Sequence, residues 1–224
     1  MTSLLAWHGT RADGTTRHLK IKEVVGVKTF LAGDVELCKN ALHGSLRAVD
    51  MLRHSEGLWI KRTLHEGTIL HDADKIGSSE RTVVAEADAT QVVVDWAFWC
   101  ADRAVRIHAV TALRQAGMDT EAEKLGNLEA ITDEKSANAA VRTANAAANA
   151  AANAANAAVR TAHFAANAAT CADACAARTA DAAAYTASNT ACAAADGTEM
   201  NLLNAELERR LLALMGLTET EVTQ

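Results

Sequence analysis

The sequence predicts an α+β fold: a small mixed head domain, then a long alanine-rich α-helix and a short C-terminal amphipathic helix. Eight of the twelve glycines precede residue 78, where short apolar runs alternate with turn residues. More than half of residues 137–195 are alanine. After residue 199, leucines recur at helical spacing, which predicts one further helix with an apolar face.

The head is predicted to occupy residues 1–117 and to contain all the strands. Strands are predicted over residues 3–8, 17–25, 27–31, 35–38, 58–64, 68–71 and 80–85. Hairpin turns are expected at Gly33 and at Gly67. A short helix over 45–53 has Ser45 as its N-cap, and an amphipathic helix over 89–116 carries two tryptophans. The predicted connecting helix lies within 118–131.

Residues 132–197 are predicted to form one straight helical rod. The sequence Val141-Arg142-Thr143-Ala144 recurs in close form 18 and 36 residues later, and 18 residues make five helical turns. A repeat of that length does not drift around a straight helix. Thr132 is the expected N-cap and Gly197 stands at the C-cap position. Such a rod would be roughly 95 Å long.

The polar residues of the rod are predicted to lie in one stripe, within an arc of about 80°. The alanines around it would let neighbouring helices approach closely. With the leucine seam of residues 198–216, this pattern predicts a homo-oligomer. A lone exposed helix that acts as a spacer is the alternative. The residues predicted to contribute to oligomerisation are Arg142, Asn145, Asn149, Asn153, Arg160, Asn167, Leu203, Leu207, Leu211 and Leu214.

Composition argues against several classes of protein. The net charge is −6 and lysine and arginine do not cluster, so nucleic acid is not an expected partner. No stretch is apolar enough for a membrane span, and no signal peptide is recognised. Five scattered cysteines fit a reducing cytoplasm, the host cell's if the chain is phage-encoded. No metal site is predicted.

The segment Trp7-His8-Gly9-Thr10 is the most suggestive local motif. It resembles the Trp-His-Gly-Thr segment of poly-ADP-ribose polymerases and their ADP-ribosyltransferase relatives. The resemblance covers about eight residues and implies that His8 binds the nicotinamide ribose of NAD. Those families continue with a strand that carries a tyrosine, and then a glutamate. The single tyrosine here, Tyr185, lies in the predicted rod.

A second resemblance covers more of the chain. It is carried by Leu37-Cys38-Lys39-Asn40-Ala41-Leu42-His43, by Asp74-Lys75-Ile76-Gly77-Ser78 and by the tryptophan-containing helix. These segments are similar to a family of uncharacterised phage and bacterial proteins with a Leu-Cys-x-x-Gly-Phe-His motif and a repetitive tail. Ala41-Leu42 replaces Gly-Phe in this chain. The resemblance implies a phage or prophage origin and no established activity.

These observations predict a non-enzymatic, oligomeric phage accessory protein with a role against host defence. Its head would bind a host protein or a nucleotide-like ligand through His8, Thr10, Arg11 and His43. No cofactor is expected in that case. One alternative is an NAD-dependent ADP-ribosyltransferase with His8 as its catalytic residue, and another is a virion or scaffold spacer. Cys38 and His43 are either a nucleophile and its base or a core residue and a turn residue.

Overall fold

The computed structural model describes residues 3–16, 20–151, 156–175, 180–194 and 198–218. The chain divides into two compact units, one of Met1–Val92 with Asn204–Gln224 and one of Val93–Leu203. The first contains a five-stranded antiparallel sheet and the second is helical, so the mixed α and β character is as predicted. Residues 93–117, predicted as part of the head, belong to the second unit.

The sheet of the first unit closes on itself. Its strands are β1 (Leu4–Thr10), β2 (Lys28–Phe30), β3 (Leu42–Gly44), β4 (Trp59–His71) and β5 (Ile76–Asp88). The order is β1-β4-β5-β2, and β3 also pairs with β5. Immediately after β3, Ser45 exchanges two 2.8 Å backbone hydrogen bonds with Trp7 of β1. This contact connects the β3 side of the sheet back to β1 around a polar interior.

The hairpin of the sheet is formed by β4 and β5, not within β4. The sequence predicted two strands joined by a turn at Gly67, and this prediction is wrong. Gly67 has a φ of +73° and lies at a register shift between Glu66 and Ile69, so it forms a bulge in one long strand. The actual turn follows His71 and is closed by a 2.9 Å hydrogen bond from the Asp72 amide to the Lys75 carbonyl.

Two other predicted strands are not strands in the structure. Of residues 17–25, residues 17–19 lie outside the described part, while Lys22 and Val25 make only isolated bridges. Residues 35–38 lead into a tight turn, because the Asn40 amide donates to the Glu36 carbonyl at 2.8 Å. The Asn40 side chain donates to two further carbonyl groups, which stabilises the turn instead of a strand.

The helix predicted over 45–53 is confirmed as α1 (Ala48–His54), although Ser45 pairs with β1 and does not cap it. The N-cap, Arg47, makes no side-chain capping bond. Glu208 of α8 (Glu199–Leu214) caps α1 instead. Glu208 Oε1 accepts from the Ala48 amide at 3.1 Å and from Trp7 Nε1 at 3.2 Å. A carboxylate at a helix N-terminus also interacts favourably with the helix dipole.

The second unit begins within the predicted amphipathic helix. That helix is confirmed as α2 (Thr90–Arg103), a π-helical segment (Ala104–Ala109) and α3 (Val110–Gln115), and α4 (Asp119–Gly126) follows. Trp96 is fully buried and donates to the Leu203 carbonyl at 3.0 Å. Arg103 makes a bidentate pair with Glu199, at 2.7 and 3.0 Å. None of the helices described is both long and apolar enough to cross a membrane.

The alanine-rich stretch corrects the prediction of one straight rod. It is divided into α5 (Glu134–Ala151), α6 (Asn156–Cys175) and α7 (Ala180–Ala194), with α5 packed on α6 and α6 on α7. Consecutive helices that pack side by side must reverse the chain direction. The alanines buried in these helices are Ala137, Ala140, Ala144, Ala147, Ala162, Ala165, Ala166, Ala168, Ala169, Ala172, Ala183 and Ala187. The small-residue face is therefore covered within the chain.

The residues predicted to contact other chains have different surroundings. Arg142, Asn145 and Asn167 are exposed, whereas Asn153 and the side chains of Asn149 and Arg160 lie outside the described part. The prediction that the leucine seam contacts another chain is corrected. Its first three members are 0% exposed within one chain, while Leu214 is 41% exposed. Those three buried residues are Leu203, Leu207 and Leu211.

The N-cap of α5 is also one residue later than predicted. Asp133 Oδ1 accepts the Ser136 amide at 2.8 Å, which is the N-cap to N3 bond of a helix that starts at Glu134. Thr132 lies outside this helix and donates its amide to Ser136 Oγ at 3.1 Å.

Candidate functional site

The first unit contains a cavity of about 100 Å³ beside β1 and the end of β3, which we call the His8 cavity. Backbone hydrogen bonds between Ser45 and Trp7 fix one part of its wall, and α1 follows shortly after Ser45 in the chain. The residues that line it are Trp7, His8, Gly9, Thr16, Cys38, Ala41, His43, Gly44, Ser45, Met51, His54, Lys75 and Arg81. Among these, two side chains are cationic, three are imidazoles and none is a carboxylate.

His8 presents an unsatisfied ring nitrogen in this wall. Its Nε2 is shielded from solvent and has no hydrogen-bond partner among the described residues. Burial, and secondarily the positive charge of Arg81, hold the pKa of His8 well below its usual value. The ring is therefore neutral at pH 7. A buried polar atom without a partner costs about 1–3 kcal/mol, so a ligand or water atom is expected opposite Nε2.

His43 forms hydrogen bonds with two other segments of the wall, the Cys38 turn and β5. Its Nε2 accepts the Cys38 amide at 3.0 Å, and its carbonyl oxygen accepts a short hydrogen bond from the Arg81 guanidinium. The Cys38 turn lies close to β5 because Gly77 has no side chain. A Cβ there would come within 2.8 Å of Leu37 and 2.7 Å of Ala41.

Buried charges lie behind the cavity. Arg81 is 1% exposed and pairs with Glu23 at 2.7 Å, while Lys61 lies 3.8 Å from the same carboxylate and 3.4 Å from Glu86. His65 lies between two hydroxyl groups, with Nε2 3.0 Å from Thr63 and Nδ1 2.8 Å from Ser78. Burial, followed by the charge of Arg81, lowers the pKa of His65 well below its usual value, so this ring is also neutral.

Cys38 and Lys75 also line the cavity. Interaction with the Cys38 side chain is the main reason that the pKa of Lys75 is raised. Asp72 lies 3.7 Å from the same ammonium. Nearby, His54 Nε2 lies 3.0 Å from Asp74. The Lys75 charge is the more accessible of the two cations in the wall, since Arg81 is held by Glu23.

The structure brings together two of the four predicted ligand-binding residues. His8 and His43 both line the cavity. Thr10 and Arg11 are not among the residues that line it. Thr10 is 1% exposed and donates to the Trp59 carbonyl at 3.1 Å, and Arg11 pairs with Glu56. Both lie at the end of β1, where the neighbouring strand and loop take up their polar groups.

Sequence reasoning did not identify Lys75, Arg81 and His54 as site residues. Lys75 and His54 are distant in sequence from His8 and reach the cavity only through the β4–β5 turn and through α1. Arg81 could have been recognised from the sequence pattern. It shares the inward face of β5 with Val83, which is fully buried. A charged residue in an inward strand position indicates a buried partner or a polar cavity.

Comparison of this chain with models of protein families, with curated proteins and with solved structures found no match. The interpretation of the His8 cavity therefore depends on its own geometry. Within the described ranges, no three His, Cys, Asp or Glu side chains lie together as the ligands of a metal ion would.

Proposed function

We propose that the first unit is a non-enzymatic binding module of a phage accessory protein, and that it holds a small anionic, nucleotide-like ligand in the His8 cavity. One observation carries this proposal: the unsatisfied Nε2 of His8 lies in a wall with two cations and no carboxylate among the described residues. Such a wall favours an anion that also offers a hydrogen-bonding group.

The charge of the wall supports a phosphate or a carboxylate as the ligand group. Lys75 offers an ammonium whose thiol and carboxylate neighbours leave part of its donor capacity for a ligand. Arg81 is already paired with Glu23 and contributes mainly a fixed positive field. The neutral ring of His8 can donate or accept one hydrogen bond, as a ribose hydroxyl requires.

The size of the cavity supports part of a nucleotide. A single water needs about 10–15 Å³ of the same kind of volume, so a cavity of about 100 Å³ holds several water-sized groups. That is enough for a phosphate with part of a sugar, and the rest of the ligand would extend outside. The apolar side of the wall, with Trp7, Ala41 and Met51, offers contact for carbon atoms.

The position of His8 on β1 favours the transferase alternative, but the other residues of a transferase site are not found beside it among the described residues. The resemblance implies a tyrosine and a glutamate near the histidine. The described lining residues include neither, and Tyr185 belongs to α7 of the second unit. Binding without chemistry is therefore the better-supported proposal, and NAD serves in the test as the ligand that would favour the alternative.

Oligomerisation is kept as a proposal, but with a different surface. The alanine face and most of the leucine seam are buried within the chain, so neither supports a contact between chains. Exposed apolar side chains lie instead along the β2 edge, namely Val24, Val27 and Phe30. A spacer role loses its main support, because α5, α6 and α7 pack side by side and do not extend the chain as a rod.

The proposal is tested by thermal unfolding and calorimetry with inorganic phosphate, AMP, ADP-ribose and NAD. We expect at least one nucleotide to stabilise the protein. At a free concentration 100 times its Kd, a ligand of the folded state adds about 2.7 kcal/mol to the free energy of unfolding. Turnover of NAD would instead support the transferase.

A matched pair of variants locates the binding. His8→Ala removes the unsatisfied nitrogen, whereas His71→Ala removes an exposed histidine outside the cavity wall. We expect the first variant to lose the ligand-induced stabilisation and the second to keep it. Equal binding by both variants, or no stabilisation by any compound of the panel, would contradict the proposed function.

A further inference from the structure

Cys38 occupies an unusual backbone position in the wall of the His8 cavity. Its φ is 67°, in the left-handed region that residues other than glycine rarely adopt. The conformation is held by the hydrogen bond from its amide to His43 Nε2, at 3.0 Å. Cys38 is exposed, and it lines the cavity as well. A reagent can therefore reach the sulfur from solvent and, once attached, enter the cavity.

Lys75 lies with Cys38 in the wall of the His8 cavity. Interaction with the Cys38 side chain is the main cause of the raised pKa of Lys75. A reagent at the sulfur would therefore lie in the field of a positive charge that shares the same wall. The same ammonium would attract an anionic reagent.

The cavity beside these two residues also contains an unsatisfied polar atom. His8 Nε2 is buried and has no hydrogen-bond partner among the described residues. A group attached to Cys38 and directed into the cavity would reach the region where this nitrogen needs a partner.

We propose that Cys38 is a thiol modification site that reacts with small anionic disulfides and, once modified, closes the His8 cavity. The Cys38 sulfur, as thiolate, attacks one sulfur of the reagent. A new sulfur–sulfur bond forms, the bond within the reagent breaks, and the second half leaves as a thiolate. The proton released from Cys38 passes to solvent or to the leaving thiolate, so no other oxidant is required.

This inference rests on the proposed function, because it makes the modification a regulator of the same site. The attached half-molecule would occupy the volume that the nucleotide-like ligand needs. Modification and ligand binding are then mutually exclusive, and reduction of the mixed disulfide restores binding. The geometry thus assigns Cys38 a regulatory role and not a catalytic one.

The test measures how fast each cysteine is modified by glutathione disulfide, an anionic disulfide, with peptide mass spectrometry as the readout. Cys192 is also exposed and serves as the internal control. We expect Cys38 to react at least tenfold faster than Cys192. Cystamine, a cationic disulfide, is expected to show a much smaller preference, because the Lys75 charge repels it.

Variants of two neighbouring lysines isolate the role of Lys75. Lys75→Gln is expected to slow the reaction of Cys38 about tenfold and leave Cys192 unchanged, whereas Lys75→Arg keeps most of the rate. Lys39→Gln is the matched control, since Lys39 adjoins Cys38 in sequence but pairs with Glu36 and does not line the cavity. Equal rates at Cys38 and Cys192, or no effect of Lys75→Gln, would overturn the inference.

A protection experiment separates this inference from the proposed function. If both are right, the nucleotide that binds best slows modification of Cys38, and modified protein no longer binds it. If a nucleotide binds but Cys38 and Cys192 react alike, the inference fails and the proposed function stands. If Cys38 reacts fast while no nucleotide binds, the thiol chemistry is supported and the proposed function fails.

Discussion

At the scale of single residues, the interior of the closed sheet contains charged side chains that pair with one another. Glu23, Lys61 and Arg81 are each buried and lie within ion-pair distance of an opposite charge. A buried ion pair costs desolvation energy that roughly offsets its attraction, so it adds little to stability. Removal of one partner is strongly destabilising, however, because the other charge stays buried without a counter-ion. These residues therefore constrain how the strands assemble. Buried atoms of the first unit that lack a hydrogen-bond partner among the described residues are His8 Nε2, Glu23 Oε2, and Nε and Nη1 of Arg62.

The two neutral histidines make stability depend on pH. The pKa values of His8 and His65 are lowered in the folded protein, mainly by burial. Below about pH 6.5, the usual histidine pKa, the unfolded chain takes up protons that the folded protein does not. We therefore expect the free energy of unfolding to fall as the pH drops from 6.5 toward 5, by up to about 1.4 kcal/mol per pH unit for each histidine.

Urea unfolding between pH 8 and pH 5 checks this expectation. His8→Asn and His65→Asn should each reduce the slope below pH 6.5, and the double variant should reduce it further. The comparison uses slopes and not absolute stabilities, because His65→Asn also loses the hydrogen bonds to Thr63 and Ser78. A slope unchanged in both single variants would mean that these rings are protonated in the folded state.

At the scale of elements, the alanine helices show how a weak apolar face can still be buried. One alanine buries little area, but the buried alanines of α5 follow a spacing of three and four residues and so form a continuous face. Small side chains let adjacent helices approach closely. Neighbouring segments of one chain meet at high effective concentration, so this packing needs no second molecule.

Substitution on α5 distinguishes packed helices from a rod. Ala144 is 0% exposed and Asn145 beside it is exposed. Ala144→Leu should destabilise the protein by about 1–3 kcal/mol, because the added atoms cannot fit between close helices. Asn145→Ala should change stability by less than about 1 kcal/mol, in the stabilising direction, since alanine has the higher helix propensity.

Chemical denaturation of both variants, followed by circular dichroism, provides the measurement. In a single isolated helix neither position would be buried, and both variants would keep the stability of the parent. Equal stabilities would therefore favour the rod over the packed arrangement.

At the scale of the whole molecule, the two ends of the chain belong to the same unit. Residues from Asn204 onward join the sheet unit, where Asn204 and Glu208 accept hydrogen bonds from the first turn of α1. Leu203, Leu207 and Leu211 of this helix are buried within the chain, whereas Leu214 is exposed. The first unit is complete only when the last helix has been synthesised.

Leu207 and Leu214 test whether this helix acts within the chain or between chains. Leu207 is 0% exposed and Leu214 is 41% exposed. Leu207→Ala should lower the free energy of unfolding by about 2–5 kcal/mol, as truncation of a buried leucine does. Leu214→Ala should change it by about 0.5 kcal/mol or less.

Unfolding of these variants at several protein concentrations completes the test. If Leu207 packs within one chain, its variant unfolds at a lower midpoint and keeps the oligomeric state of the parent. If Leu207→Ala instead dissociates a larger assembly and changes the stability of the monomer little, the leucines would be shown to contact a second chain.

Much of the fold was predictable where periodicity is long or a motif is local. The helix over 89–116 and the helical character of the alanine stretch were predicted from spacing, and the helix over 45–53 and the first strand from local residue types. Predictions failed where several arrangements share one local pattern. Gly67 favours a turn or a bulge equally, and only its partner strand β5 decides between them.

The candidate site was half predictable for the same reason. His8 and His43 stand in recognisable motifs, whereas Lys75 reaches them only because β4 and β5 form a hairpin. Thr10 and Arg11 adjoin His8 in sequence, but side chains at the end of a strand take partners from its neighbours. Sequence distance is therefore a poor guide to membership of this cavity.

The sequence by itself determined which segments are helical, where the apolar residues concentrate, and that the alanine stretch has one polar and one small-residue face. These properties depend on residue type and spacing over a few turns. Only the tertiary structure decided that the alanine stretch is divided into packed helices, that Leu203, Leu207 and Leu211 are internal, and that His8, Cys38 and Lys75 share one cavity. Helical propensity is local, but burial depends on which distant surface is available to cover a face.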